Sequence, residues 1–352
     1  MRDGAWKTAK RLIVRTGKSL GILLLALVAG AAVYEHVSAW RDGRVLKQVG
    51  RSVDIGGRTL NIYCTGAGAP TVVFVSGATA PGYVWMPTER GVAAFTHACW
   101  YDRADIGWSQ PGPDPEWGDA AARDLHRLVQ NAGLGPPLVL VGHSFGGSII
   151  RLYNAAYRGE VAGMVFVDTA LEDAGTIRGM PHKDPPRLPR SVIVGVSTVL
   201  GRLGMIRFMA SDPGPPPKHW TAAEWDVLAR LRRQRNVLLA DAKVGPGRAT
   251  DDLVRSAGGL EDMPMIVLTQ GRPIAEPGSV EAGVRRGWVA LQREFAQRSR
   301  RGRQVMVLDS GHGIPIEAPD AVIAAVRELV TELRTASHPN PRLLPPRTVP
   351  QR

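Results

Sequence analysis

Ser144 is the residue of this chain best placed to do chemistry. It lies in Leu138-Val-Leu-Val-Gly-His-Ser-Phe-Gly-Gly147, where Gly142, Ser144 and Gly146 form G-x-S-x-G. Leu138 to Val141 read as a short strand with no polar face, and Ser148 to Tyr157 continue as a helix. A turn this tight excludes side chains at its flanks, which accounts for the two glycines. It holds the serine exposed and strained, with a helix N-terminus beneath it to favour developing negative charge. A bare G-x-S-x-G also occurs in ordinary glycine-rich turns. The strand–turn–helix setting is what selects Ser144 as a nucleophile.

A serine hydroxyl needs a base. Gln304 to Leu308 read as a late strand, followed by Asp309-Ser-Gly-His-Gly-Ile-Pro-Ile-Glu-Ala-Pro319 and a helix from Asp320. His312, between Gly311 and Gly313, therefore fits the chain order nucleophile, acid, histidine. The other histidines lack this setting. His143 is inside the turn, and His36, His126, His182 and His219 lie on helix-like or linker segments. His97 opens a strand and His338 lies in the tail.

These segments resemble the α/β-hydrolase superfamily, in its serine-nucleophile, esterase- and lipase-like form, over roughly residues 50 to 334. Val72-Val-Phe-Val-Ser-Gly-Ala78 resembles the strand and loop that supply half the oxyanion hole. Tyr101-Asp-Arg-Ala-Asp-Ile-Gly-Trp-Ser109 resembles the Y-D-R-x-G-x-G-x-S segment, and Ser310-Gly-His-Gly-Ile-Pro315 the histidine loop. The resemblance implies an α/β fold with a mostly parallel twisted sheet flanked by helices. It also implies two backbone N–H donors for the oxyanion, assigned to Phe145 after the nucleophile and Ala78 after the early strand. Many members carry His-Gly where this chain has Ser76-Gly77.

The acid is less plainly written. Members commonly place Asp after the penultimate core strand, here Met265 to Thr269, but that loop offers only Glu276. The preceding strand ends Met164-Val-Phe-Val-Asp168. Asp168 is therefore the first choice to orient His312, with Glu276 and Glu172 as alternatives. Asp102 and Arg103 read as a structural charged pair.

The elements that must position these groups follow from the patterning. Val53-Asp-Ile55 and Arg58 to Cys64, joined at Gly56-Gly57, predict an opening hairpin. Another strand is expected between Val92 and Tyr101. Leu125, Leu128, Val129 and Ala132 predict a helix over 119–132. From about Ala170 to Asp262 the alternation stops, and Pro-rich pieces separate helical segments at 191–205 and 222–240. A stretch this long and helical is expected to be a lid, inserted after the strand ending at Asp168. Leu203, Met205, Ile206 and Phe208 are its candidate pocket residues. The expected division is a core of 51–169 and 263–334, a lid of 170–262, and a disordered Pro/Arg tail of 335–352.

The N-terminus carries Arg2, Lys7, Lys10, Arg11, Arg15 and Lys18 ahead of an uncharged run, Leu20 to Val33. The expected division is a basic flank over 1–18, a transmembrane anchor or signal peptide over 19–36, and a linker over 37–50. Val37-Ser-Ala39 resembles a cleavage site, but the apolar run ends before it, which favours an uncleaved anchor. Either form sends the catalytic domain across the membrane, to stay anchored on the extracytoplasmic side or be secreted. In the strand order that the resemblance implies, Cys64 and Cys99 fall on neighbouring antiparallel strands and are expected to form a disulfide, favoured by export. No cysteine or histidine spacing matches a metal site, and no metal or other cofactor is expected. The net charge of +12 is dispersed in short basic faces without aromatic interleaving, which argues against nucleic acid as a partner.

The chemistry expected is hydrolysis of a carboxylic ester in a small acyl substrate through an acyl-enzyme. A serine at this turn argues against epoxide hydrolase or dehalogenase chemistry, which uses aspartate there. The alternatives are a non-catalytic ligand-binding protein on the same scaffold, and cofactor-free perhydrolysis or carbon–carbon cleavage.

Overall fold

Strands buried on both faces govern the architecture, because each must be covered by helices on two sides. The computed structural model describes residues 2–337, apart from 113–117, 181–187, 211–212, 245–246, 259, 275 and 277. Among them are β1 (Arg51–Asp54), β2 (Thr59–Thr65), β3 (Thr71–Val75), β4 (Ala98–Tyr101), β5 (Leu138–His143), β6 (Val161–Val167), β7 (Met265–Gln270) and β8 (Gly302–Val307). They form one eight-stranded sheet in the order β1-β2-β4-β3-β5-β6-β7-β8. The pairs β1–β2 and β2–β4 are antiparallel and the rest are parallel. The helices are α1 (Arg2–Val45), α2 (Met86–Ala93), α3 (Gly118–Asn131), α4 (Phe145–Ala156), α5 (Arg190–Arg202), α6 (Met205–Met209), α7 (Ala222–Arg232), α8 (Val237–Val244), α9 (Gly247–Ser256), α10 (Val280–Ala296), α11 (Ile314–Glu317) and α12 (Pro319–Ser337).

Alternate residues of the central strands enter two separate cores. Val73, Leu140, Phe166 and Val267 face Leu125, Ile149 and Phe295 of α3, α4 and α10. Phe74, Val141, Val165 and Leu268 face Val92 of α2 and Val322, Val326 and Leu329 of α12. With the parallel strands running one way, the loops after β3, β5, β6, β7 and β8 gather at one edge. That is where a doubly covered parallel sheet binds ligands.

The hairpin turns at Gly56 and Gly57, at φ of 99° and 87°, with both N–H groups donating to Asp54 Oδ1. The antiparallel register sets Cys64 opposite Cys99. Their sulfurs are bonded, with the Cα atoms 4.1 Å apart.

Three boundaries differ from the sequence reading. The stretch 37–50, expected as a linker, is helical as far as Val45, because the buried carboxylates Glu35 and Asp42 of α1 pair with Arg207 and Arg230 of the segment between β6 and β7. The single helix expected over 222–240 breaks after Arg232, where α5 crosses so closely that a Cβ on Gly201 would meet Arg235 O at 2.4 Å. Of the tail expected to be disordered, 335–337 close α12 and 338–352 lie outside the described residues.

Candidate active site

Ser144 joins β5 to α4 at φ 51° and ψ −121°, a left-handed conformation costly for any residue with a side chain. Packing leaves the turn no alternative. A Cβ on Gly142 would lie 2.6 Å from Gly146 O, and one on Gly146 would lie 2.3 Å from Val75 O. One on Gly147 would overlap Thr169 Oγ1 at 1.6 Å. The Ser144 N–H donates to Val167 O at 3.1 Å, and its carbonyl accepts from Ala170 N at 3.1 Å, tying the turn to the end of β6.

Asp168 is that end. It is fully buried, also at positive φ (43°), and its carboxylate has three donors. Oδ1 accepts from Trp288 Nε1 at 2.8 Å and from Gln270 N at 3.1 Å. Oδ2 lies 2.6 Å from Nδ1 of His312, whose side chain is 52% exposed. The other two acids go elsewhere. Burial pushes the Glu172 carboxyl up, but hydrogen bonds and charge from Arg151 and Arg298 outweigh it and bring the group down to about 2. Glu276 is exposed on the loop after β7.

The histidine loop is held from two sides. Glu317 Oε2 accepts from Ser310 Oγ and Gly311 N, both at 2.9 Å, and from Arg272 Nη2 at 2.7 Å. His143, the residue before Ser144, donates from Nε2 to His312 O at 2.8 Å. Burial, with the neighbouring His312, pushes the His143 imidazole down to about 4, so it is neutral in ordinary buffers.

Phe145 opens α4, so its N–H has no helical carbonyl partner. The loop after β3 packs on the turn, where a Cβ on Gly77 would stand 3.3 Å from Ser144 Cβ. Arg103 donates to Gly77 O at 3.2 Å and also to Ala78 O. Carbonyl and N–H point opposite ways in a trans peptide, so the Ala78 N–H faces away from that guanidinium. Asp102 holds a separate loop. It accepts from Gly82 N, Trp108 N and Asn61 Nδ2, while burial pushes its carboxyl up to about 6.

A cleft of about 300 Å³ opens beside His312, lined by Met180, Gln270, Val284, Trp288 and the charged Glu281 and Arg285. The expected lid residues Leu203, Met205, Ile206 and Phe208 do not line it. They belong to the turn and helix that pack against α1, and Phe208 is 88% exposed. Away from this edge, ligand atoms of Cys64, His97 and Cys99 lie within 4.8 Å of one another. With the two sulfurs joined, that group offers no thiolates.

Sequence reasoning passed over Trp288, Gln292, Glu317 and His143. Ser279 as a cap, with Val284, Trp288, Leu291 and Phe295 at helical spacing, would have revealed α10, which carries Trp288 and Gln292.

This sheet order with a serine at the strand-to-helix turn defines an α/β hydrolase. Residues 72–325 match the Alpha/beta hydrolase family, and the chain belongs to it. It is similar to an esterase from Thermogutta terrifontis, with TM-score 0.54 and 21% identity over 80% of this chain and 98% of that one. It is also similar to the epoxide hydrolase CorEH, with TM-score 0.57 and 16% identity over 81% and 99% of the two chains. At these identities the likeness is one of fold. Among curated sequences, the uncharacterized protein YbdG of Bacillus subtilis is 27% identical over 168 residues, 47% of this chain and 50% of that protein. The chain thus spans about half the length of the curated relatives it matches.

Proposed function

We propose that the chain hydrolyses carboxylic esters with Ser144 as nucleophile, His312 as base and Asp168 as the acid that orients it. The observation that carries this is the 2.6 Å contact of His312 Nδ1 with a fully buried Asp168, on the loop held by the residue next to Ser144. With Nδ1–H donated to Asp168, the imidazole presents Nε2 as acceptor. His312 takes the hydroxyl proton as Ser144 Oγ adds to the ester carbonyl carbon, and Phe145 and Ala78 N–H groups hold the oxyanion. Collapse breaks the bond to the alkoxy oxygen, which leaves as alcohol with the proton from His312. A water then loses a proton to His312, adds to the acyl carbon and releases the carboxylic acid and Ser144.

The cleft fits a small acyl or alcohol group, with Met180, Val284 and Trp288 as its apolar lining. The apolar part of α1, bare along Leu20–Val33, is read as an uncleaved signal anchor, with the basic flank inside and the catalytic domain outside. An oxidising compartment agrees with the Cys64–Cys99 bond.

The test is labelling by a fluorophosphonate, which reacts only where a base and an oxyanion hole activate a serine. An adduct mapped to Ser144 and lost in Ser144→Ala is the expected result. A folded chain that takes no label, with no ester turnover, would leave a ligand-binding protein in its place. For the anchor, a reporter fused after Arg352 should be active only outside the cytoplasm.

A further inference from the structure

Six apolar side chains stand bare on the outer surface of the lid: Leu188, Val192, Val196, Val199, Phe208 and Met209. Val192, Val196 and Val199 fall at i, i+4 and i+7, so α5 turns an apolar stripe outward where a soluble helix would carry charge. Exposed apolar groups clustered in this way mark an interaction surface.

The same part of the lid is bolted to α1. Arg207, next to Phe208, bonds Glu35 through Nε at 2.7 Å and Asp42 through Nη2 at 2.7 Å. Arg230 of α7 reaches the other Asp42 oxygen at 2.9 Å. Both carboxylates are buried in this junction, and a Cβ on Gly204 would stand 3.3 Å from Glu35 Cβ. Glu35 is two residues past Val33, the last residue of the bare apolar run, or about 3 Å along the helix axis. Phe208 and Met209, beside Arg207, are therefore held near the level where that run ends, and α5, which carries the stripe, packs against α1 next to them.

We propose that the outer face of the lid rests in the headgroup layer of the membrane that α1 enters, and that the site draws its esters from that bilayer. This rests on the readings of α1 as an anchor and of Ser144 as an esterase nucleophile. The occupant follows from continuity: lipid that covers Leu20 to Val33 reaches the headgroup level beside Glu35, where an amphipathic face lies flat with its apolar side down. Arg202, exposed at the end of the stripe, meets lipid phosphates there. Separating the lid from α1 would strand buried charges at Glu35 and Asp42, so the lid stays seated at the membrane.

The test uses the full chain in phosphatidylcholine–phosphatidylglycerol vesicles. Leu27→Cys, Val196→Cys and Phe208→Cys each add a single free thiol for an environment-sensitive fluorophore, since Cys64 and Cys99 are bonded to each other. Lipids brominated at shallow depth should quench the 196 and 208 labels at least about twofold, and deeply brominated lipids the 27 label. A quenched 27 label with 196 and 208 unquenched overturns the proposal and leaves the anchor standing. An unquenched 27 label removes the anchor and the proposal with it. Labels at 196 and 208 shielded from iodide but not quenched by bromolipid would mean that a second copy covers the stripe, again overturning it. For the substrate, Val196→Asp/Val199→Asp should slow hydrolysis of a vesicle-borne long-chain ester roughly tenfold relative to a water-soluble acetate. An equal loss on both esters overturns the bilayer source. A parent chain inactive on both removes the esterase reading while the quenching result stands alone.

Discussion

Replacing Asp168 by Asn should nearly abolish turnover, and the surroundings of the carboxylate say how. The Oδ1 position receives two N–H donors, Trp288 Nε1 at 2.8 Å and Gln270 N at 3.1 Å. An asparagine must put its carbonyl oxygen there. The opposite flip would aim its NH2 at both donors and leave them unsatisfied, at about 1–3 kcal/mol each. The NH2 group is therefore forced to the Oδ2 position, 2.6 Å from His312 Nδ1. Facing a donor, Nδ1 must become the acceptor, so the proton moves to Nε2 and the imidazole can no longer accept from Ser144. A wrong tautomer of this kind costs roughly 10⁴ in kcat, or about 5.5 kcal/mol. The assay is steady-state hydrolysis of a p-nitrophenyl ester, with the fluorophosphonate rate as a second readout of Ser144 activation. KM and Tm should change little. Activity within about tenfold of the parent would refute the reasoning and send the search for the acid back to the loop after β7.

Other outcomes follow from single contacts. Gly147→Ala places a methyl 1.6 Å from Thr169 Oγ1, so thermal unfolding should show a loss of about 1–3 kcal/mol together with lower activity; an unchanged Tm refutes it. Breaking the Cys64–Cys99 bond in the double serine variant frees a loop with sequence separation 35 and should cost about 2–4 kcal/mol in denaturant titrations. Glu172, moved from 4.5 to about 2, contributes roughly 3 kcal/mol that is present above pH 4.5 and lost as pH falls through 2. The stability gap between the parent and Glu172→Gln should accordingly close over that window, and a gap independent of pH would contradict the pairing.

How far the sequence could be read depended on how local each feature is. The serine turn was legible because strand, glycines and helix start lie within ten consecutive residues, although only Gly142 answers to a contact inside the turn, while Gly146 and Gly147 answer to Val75 and Thr169 at the ends of neighbouring strands. The histidine was legible because its loop directly follows β8. The acid remained a choice among Asp168, Glu276 and Glu172, since what distinguishes these carboxylates is distant in the chain: Trp288 and the backbone of Gln270 converge on Asp168, while Arg151 and Arg298 occupy Glu172. The end of α1 was misjudged for the same reason. Glu35 and Asp42 look like solvent-facing charges until Arg207 and Arg230, far along the chain, are brought against them.

The helical segment between β6 and β7 leaves the sheet only two residues after Asp168, yet its root is pinned on every side. Thr169 O accepts from Gln292 at 2.6 Å, Ala170 N is tied to Ser144 O, and Glu172 is clamped by two arginines. Any swing of this segment would have to pivot beyond that clamp, away from the Asp168 carboxylate. The insertion is nonetheless rooted in the core elsewhere, through Trp220, Leu228 and Leu231 on one face of the sheet and Val254 and Leu260 on the other. A foreign segment grafted between residues 174 and 262 would have to replace those contacts, and the Met180 side of the cleft with them, before it could change what enters beside His312.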